Sequence, residues 1–199
     1  MKFILGTKLN MTQLFDETGK VHPVTVLKTE AAVVTQVKSL EKDGYEAVQV
    51  GYGSKKAARI NKPLTGQMKG LGNFANLMEV KGISAAVGDK VSPEFNAGDV
   101  VEVSSISKSK GFQGVVKRHG FGGGPRSHGQ KHSEREPGSI GAGGYQRVFK
   151  GRRMAGRMGG DRITVKNLTV VSFDNATGEL FIRGAIPGRR GTVVEVRGK

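Results

Sequence analysis

One stretch decides the fold class of this chain: Ile163-Thr164-Val165-Lys166-Asn167-Leu168-Thr169-Val170-Val171-Ser172-Phe173. It is rich in Val, Ile and Thr, and apolar residues alternate with polar ones along part of it, which is typical of a β-strand. Six other segments have the same character: 21–27, 32–37, 45–51, 100–106, 179–183 and 192–197. Many short strands at fairly even spacing predict a mainly β chain that closes into a barrel or packs as a sandwich.

Clusters of turn-forming residues separate these strands, as at 16–19, 42–44, 96–99, 174–178 and 187–188. Between residues 55 and 90 the pattern weakens, and Pro63 favours the start of a short helix that runs through Met68 and Leu71, followed by a strand at 74–80. This segment is interpreted as a small α+β insertion. One or two helical turns are expected at 111–118, with Phe112, Val115 and Val116 turned inward.

Residues 119–160 show neither the helical nor the strand period, and they contain 13 glycines. Such a segment buries too little apolar surface to offset the entropy cost of its ordering. Because strands resume at Ile163, it is predicted to be a loop that leaves the domain and returns to it. The predicted organisation is a first barrel segment at 1–54, the insertion at 55–95, a second barrel segment at 96–118, the extension at 119–161 and a third barrel segment at 162–199.

The positive charge of the chain is concentrated in and around this extension. The 199 residues carry a formal net charge of +15. Residues 104–162 hold 13 basic and three acidic groups, which is two thirds of the net charge in under a third of the chain. A field of this sign attracts phosphate polyanions and favours nucleic acid over an anionic membrane as the partner. The predicted RNA-binding residues are Lys108, Lys110, Lys117, Arg118, Arg126, Lys131, Arg135, Arg147, Lys150, Arg152, Arg153, Arg157 and Arg162.

Flat side chains lie among these cations and are candidates for stacking on unpaired bases. They are His119, Phe121, His128, His132, Tyr145 and Phe149. Glycines between them let the backbone approach a crowded surface, so the segment is expected to order inside folded RNA. Further basic residues of the body are expected to divide between RNA contacts and solvated charge: Lys55, Lys56, Arg59, Lys62, Arg189 and Arg190.

Several motifs in the chain resemble those of bacterial ribosomal protein L three. The central ones are Pro137-Gly138-Ser139-Ile140-Gly141 and Val148-Phe149-Lys150-Gly151-Arg152-Arg153-Met154-Ala155-Gly156-Arg157-Met158-Gly159. Others are Gly6-Thr7-Lys8-Leu9-Asn10-Met11-Thr12, Pro23-Val24-Thr25-Val26, Gly44-Tyr45-Glu46-Ala47-Val48-Gln49-Val50, Gly111-Phe112-Gln113-Gly114-Val115-Val116-Lys117-Arg118 and Gly184-Ala185-Ile186-Pro187-Gly188. The resemblance runs in order along essentially the whole chain.

This resemblance implies a translation-factor-type β-barrel with a small α+β insertion and a long irregular basic extension. It implies a structural, non-enzymatic constituent of the cytoplasmic 50S subunit that binds 23S rRNA early in assembly. Neighbouring large-subunit proteins, L fourteen and L nineteen among them, are the implied protein partners, with no membrane and no small-molecule substrate. The extension is implied to point toward the peptidyl transferase centre, with its tip at Gly141, Ala142, Gly143, Gly144, Tyr145 and Gln146.

The tip is shorter and richer in glycine than in bacterial relatives, some of which carry a methylated glutamine there. Gln146 is the one glutamine at this tip, but it is out of register and is not assigned as modified. Tyr145 is the candidate for stacking on rRNA at the tip.

Two other classes of function remain as alternatives. A free RNA- or DNA-binding architectural protein would have the same charge, but the chain lacks a recognition helix of familiar type. An RNA-processing enzyme would use His119, His128 or His132 with Glu134 or Asp161, yet all of these lie in glycine-rich sequence that does not hold catalytic geometry. The chain has no cysteine, and His128 and His132 lack a third ligand, so no metal or other cofactor is expected. No segment is apolar enough to predict a membrane span or a signal peptide.

Overall fold

The chain is mainly β, as the sequence predicts. The computed structural model describes residues 2–92 and 95–198. The strands are β1 (Phe3–Phe15), β2 (Val21–Thr29), β3 (Ala32–Lys38), β4 (Ala47–Ser54), β5 (Phe74–Val80), β6 (Lys90–Val91), β7 (Val100–Ile106), β8 (Phe112–Gln113), β9 (Gly156–Arg157), β10 (Arg162–Asp174), β11 (Glu179–Arg183) and β12 (Val193–Gly198). The helices are α1 (Leu40–Asp43), α2 (Lys62–Gln67) and α3 (Val115–His119), with a 3-10 turn at Ala57–Arg59.

Six of the strands form a closed barrel in the order β1, β12, β7, β10, β11, β2. Each neighbouring pair is antiparallel, and β2 pairs back onto β1 to close the ring. Closure leaves no edge strand exposed, because every strand has a partner on both sides. The interior is a single apolar cluster, whose members include Ile4, Leu27, Val101, Val103, Val170, Leu180, Ile182, Val194 and Val196.

The remaining larger sheet is four-stranded, in the order β5, β4, β3, β6. Its buried face carries Ala32, Val34, Val48, Val50, Tyr52 and Val80, which pack with two side chains of the barrel strand β1, Phe3 and Leu5. Ile4, between those two, belongs to the barrel interior instead. Successive side chains of β1 therefore enter two different cores. This explains why β1 lacks the alternating apolar and polar pattern of a strand with one solvent-exposed face.

The predicted boundary between barrel and insertion at residue 55 separates β3 and β4 from β5 and β6, although all four strands belong to this one sheet. β3 and β4 have the predicted strand character, but they pair with each other and with β6 and β5 rather than with barrel strands. Local composition indicates that a segment is extended, whereas the sheet that it joins depends on contacts distant in sequence. The expected helix near Pro63 and the strand at 74–80 are both present.

The chain forms two compact units. One contains the barrel and the four-stranded sheet, and comprises the residues up to Ile106 and those from Arg162 onward. The other, called the arm below, is residues 107–161. β7 and β10 pair with Ile106 opposite Arg162, so the arm begins and ends at adjacent positions of the barrel wall.

A glycine on β4 provides a test of the packing in the four-stranded sheet. A Cβ at Gly51 would lie 2.5 Å from Cγ and Cδ2 of the Phe74 ring, which covers this position. In Gly51→Ala the new methyl group clashes with ring atoms near the Phe74 backbone. Rotation of the Phe74 side chain moves these atoms little, so most of the clash remains. We expect the free energy of unfolding to fall by about 1–3 kcal/mol, measured by urea denaturation of the full chain.

Gly66→Ala is the matched control, because a Cβ at Gly66 in α2 meets nothing within 4 Å. Alanine is the better helix former, so this variant should gain up to about 1 kcal/mol. Equal stabilities of the two variants would contradict the packing of Phe74 on Gly51.

Candidate nucleic-acid interface

The arm begins as a short antiparallel ribbon, called the root, made of residues 107–120 and 154–161. The Ser107 amide donates to the Asp161 carbonyl at 2.9 Å. Further along, the Lys110 amide donates to the Met158 carbonyl at 2.9 Å, and the Met158 amide donates to the Gly111 carbonyl at 3.0 Å. β8 and β9 continue this pairing. The root is therefore held by backbone hydrogen bonds rather than by a hydrophobic core.

Glycine is required at one position of the root. Gly159 has a φ of +75°, and a Cβ there would lie 2.2 Å from the Lys108 carbonyl oxygen. No side-chain rotation relieves a clash with backbone, so the two chains of the root approach this closely only because residue 159 has no side chain.

A side-chain clamp joins the two strands of the root between residues 118–119 and residue 154. α3 ends at Gly120, whose φ of +72° gives the left-handed cap typical of helix C-termini. From the last turn of α3, Arg118 Nη1 donates to the Met154 carbonyl oxygen at 2.8 Å, and His119 Nε2 lies 3.0 Å from the same oxygen. A Cβ at Gly156 would lie 2.5 Å from Arg118 Nη1, so glycine also makes room for the guanidinium.

Between Gly120 and Ala155 the arm contains no helix and no strand. A second close approach occurs within this region, where the Gly124 amide donates to the Glu134 carbonyl at 3.0 Å. A Cβ at Gly123 would lie 2.1 Å from that carbonyl oxygen. Of the predicted irregular segment 119–160, residues 121–155 lack helix and strand, whereas residue 119 ends α3 and residues 156–157 form β9. The glycines of the segment allow tight backbone crossings.

The tip residues 141–146 are all exposed. The ring of Tyr145 contacts that of Phe149 edge-on, with centroids 5.0 Å apart and an interplanar angle of 65°. The Arg147 guanidinium lies 5.8 Å from the centre of the Phe149 ring. Tyr145 is 63% exposed and Phe149 is 47% exposed, so both rings keep faces free for a partner. The Tyr145 amide makes only a long hydrogen bond, 3.4 Å, to the Ala142 carbonyl.

Eleven of the twelve basic side chains in the arm are exposed: Lys108, Lys110, Lys117, Arg126, Lys131, Arg135, Arg147, Lys150, Arg152, Arg153 and Arg157. The arm has only three carboxylates, and of these Glu134 lies 3.9 Å from Arg126. The twelfth cation is Arg118, half-buried in the clamp. Arg162, also predicted to bind RNA, belongs to the barrel and pairs with the buried carboxylate of Glu195. These two arginines thus have structural partners within the protein.

The aromatic candidates occupy different settings. His119 is held in the clamp, with its ring centroid 6.0 Å from that of Phe121. His128 and His132 are exposed. The backbone at His128 has a φ of 56°, so the four-residue spacing does not place the two histidines on one helical face. Among the described residues, no group of three or more His, Cys, Asp or Glu side chains is arranged to hold a metal ion.

The structure adds one candidate contact residue that the sequence pattern does not indicate. Phe112 was expected to point inward, but it is 74% exposed. The helix begins only at Val115, and Phe112 instead pairs with Arg157 in the root ribbon, so its side chain is not on the inner face of α3. Of the three residues expected inside, Val115 is buried and Val116 is partly buried. Phe112 is therefore a further exposed aromatic side chain of the root.

None of the helices in the described residues is long and apolar enough to cross a membrane.

Comparison with known proteins gives one consistent family. The family described as Ribosomal protein L3 matches residues 54–180. Large ribosomal subunit protein uL3 of Acidothermus cellulolyticus is 50% identical, over 99% of this chain and 92% of its own length. The proteins of the same name from Herpetosiphon aurantiacus and Thermobifida fusca are 47% and 49% identical, covering 97% and 99% of this chain and 94% of each relative. With this identity along nearly its whole length, the chain belongs to the ribosomal protein L3 family.

Proposed function

We propose that this protein is a structural component of the large ribosomal subunit and that its arm binds 23S rRNA. The observation that carries the proposal is the exposure of eleven cations on a segment with three carboxylates and little regular structure. Folded RNA offers phosphates at high density around a crowded surface, and exposed Lys and Arg bind them with release of counterions. The names of the relatives, which place those proteins in the large ribosomal subunit, support the same assignment.

The arm uses two kinds of contact in this proposal. Its cations neutralise phosphates, which positions the chain, and its exposed rings stack on unpaired bases. Tyr145 and Phe149 provide the stacking surface at the tip, and Phe112 adds one at the root. The tip at residues 141–146 approaches the peptidyl transferase centre, and the body contacts neighbouring subunit proteins, L fourteen and L nineteen among them. Binding of the rRNA takes place early in assembly of the 50S subunit in the cytoplasm.

The protein is not an enzyme in this assignment, because the L3 family is a family of structural ribosomal proteins. The geometry agrees with this role. His119 Nε2 lies 3.0 Å from the backbone carbonyl oxygen of Met154, so this histidine is engaged in the clamp. No observation on the arm favours the architectural or the RNA-processing alternative over rRNA binding.

Charge substitution tests the contribution of the arm to rRNA binding. The arm quartet replaces four exposed cations by glutamine: Lys131→Gln, Arg135→Gln, Lys150→Gln and Arg153→Gln. The body quartet makes the same change at four exposed lysines of the other unit: Lys20→Gln, Lys28→Gln, Lys42→Gln and Lys90→Gln. Each variant loses four charges, so the two change the net charge equally.

The measurement is the slope of log affinity for 23S rRNA against log salt concentration. Each phosphate contact contributes about 0.7–0.9 to the magnitude of this slope, so the arm quartet should lower it by about 3. The body quartet should lower it by less than about 1. Identical slopes for the two quartets would contradict the proposal.

The root offers a second test, which removes no charge. We infer that the root positions the arm for binding, so that opening it weakens binding even with every cation retained. Gly159→Ala introduces a Cβ that clashes with the Lys108 carbonyl at a positive φ. Backbone strain of this kind costs about 1–3 kcal/mol. We expect affinity for 23S rRNA to fall by about tenfold, with the salt slope unchanged.

Gly114→Ala is the matched control, because Gly114 lies in the same root with a φ of −71° and no atom within 4 Å of an added Cβ. This variant should bind as the unaltered protein does. Equal affinities for the Gly159→Ala and Gly114→Ala proteins would show that root geometry does not affect binding.

A further inference from the structure

A second concentration of positive charge lies outside the arm, on the connection between β4 and β5. This connection, residues 55–73, is called the cationic loop below. It carries five basic side chains, all exposed: Lys55, Lys56, Arg59, Lys62 and Lys69. No acidic residue occurs anywhere between Glu46 and Glu79, so the loop has no carboxylate of its own.

The ends of the cationic loop are held together by the sheet from which it emerges. Ser54 and Phe74 are opposite each other in the antiparallel pair of β4 and β5. The Lys55 amide then donates to the Asn73 carbonyl at 3.1 Å, which extends the pairing by one step into the loop. The loop therefore starts and finishes at one place on the sheet.

The interior of the loop is folded and anchored. It contains the 3-10 turn and α2, whose first turn holds Pro63. Met68 is 5% exposed and is the buried apolar anchor. The neighbouring Gln67 donates from Nε2 to Gln36 Oε1 at 3.1 Å, and the same atom lies 3.4 Å from Gln49 Oε1. These contacts attach α2 to side chains of β3 and β4.

The five cations of the loop contrast with other cations of the same unit. Lys2 pairs with Asp99 at 2.6 Å, and Lys38 pairs with Glu79 at 2.8 Å. The hydrogen bonds of Lys38 to Glu79 and to Tyr45 raise the pKa of this lysine above its ordinary value. In the described ranges of the chain, by contrast, the five loop side chains form no ion pair and no side-chain hydrogen bond.

Five like charges on one short anchored loop repel one another, and the loop has no carboxylate of its own to offset that repulsion. A polyanion that lies across the loop removes it. The phosphate backbone of RNA presents regularly spaced charges of the required sign. A loop that is already folded also loses little conformational entropy on binding.

We propose that the cationic loop is a second phosphate-binding surface, which binds the backbone of structured rRNA separately from the arm. This inference rests on the proposed function, since it assigns a further site for the same RNA. The loop differs from the arm in being folded before RNA binds. It has no aromatic side chain and therefore contacts phosphate without stacking on bases.

The test uses the full chain with a loop quartet: Lys55→Gln, Lys56→Gln, Arg59→Gln and Lys62→Gln. It is compared with the arm quartet and the body quartet in the same salt series on 23S rRNA. The loop quartet should lower the magnitude of the salt slope by about 3, as four lost phosphate contacts require, whereas the body quartet lowers it by less than about 1. The loop and arm quartets combined should lower it by the sum of their separate effects.

A charge-preserving variant separates loss of charge from loss of folding. Lys55→Arg, Lys56→Arg and Lys62→Arg together keep every positive charge of the loop, so this protein should retain the native slope. Thermal unfolding of each variant shows whether the fold is intact. A loop quartet that is folded and has the slope of the body quartet overturns the inference, and points to an acidic protein surface as the partner of the loop.

The same series keeps this inference distinct from the proposed function. A reduced slope for the loop quartet alone would support the loop site while contradicting RNA binding by the arm. A reduced slope for the arm quartet alone would support the arm and overturn the loop site.

Discussion

The antiparallel pairing of β7 with β10 is the constraint on which the rest of the molecule depends. It places Ile106 opposite Arg162, so the chain leaves the barrel and returns to it at neighbouring positions. The barrel supplies the hydrophobic core that stabilises this pairing, with Val101, Val103 and Val170 among its members. Because the barrel holds both ends of the arm, the arm needs no core of its own to stay attached. Its sequence is therefore free to consist of glycine, cations and exposed rings.

The structure divides the cations of this protein into two kinds. Arg162 and Arg197 both contact Glu195, a carboxylate that is 3% exposed, and this cluster belongs to the barrel. Arg118 is likewise engaged with a backbone carbonyl in the clamp. The exposed cations of the arm and of the cationic loop lie where the protein has few carboxylates. Unbalanced charge is thus concentrated in two places that are each attached to a sheet by paired strands, and the sheets themselves are stabilised by apolar contacts.

Much of the fold was predictable from the sequence pattern, because the alternation along β7 and β11 is that of a strand with one buried face. β1 was not, since its side chains near the N-terminus enter two cores and the pattern of alternation disappears. The sequence pattern also could not predict that β3 and β4 belong to a second sheet, because local periodicity does not specify which strands pair.

The candidate interface was predictable at the level of charge and less so at the level of individual side chains. Eleven arm cations are exposed, and two of them, Arg126 and Arg152, also have partners in the protein, as Arg118 and Arg162 do. Composition cannot distinguish an arginine that faces solvent from one that donates a hydrogen bond to a backbone carbonyl. Phe112 is exposed because α3 begins at Val115, four residues later than the sequence predicts, so residue 112 lies in the root ribbon instead.

We infer that the arm between Gly120 and Ala155 gains its stable order from rRNA. Its few internal backbone hydrogen bonds and its lack of an apolar core support this claim. The most direct measurement is amide hydrogen exchange of the full chain, alone and in complex with 23S rRNA. We expect rapid exchange across residues 120–155 in the free protein and strong protection in the complex, with the barrel strands protected in both. Protection of those residues in the free protein that rRNA leaves unchanged would contradict it.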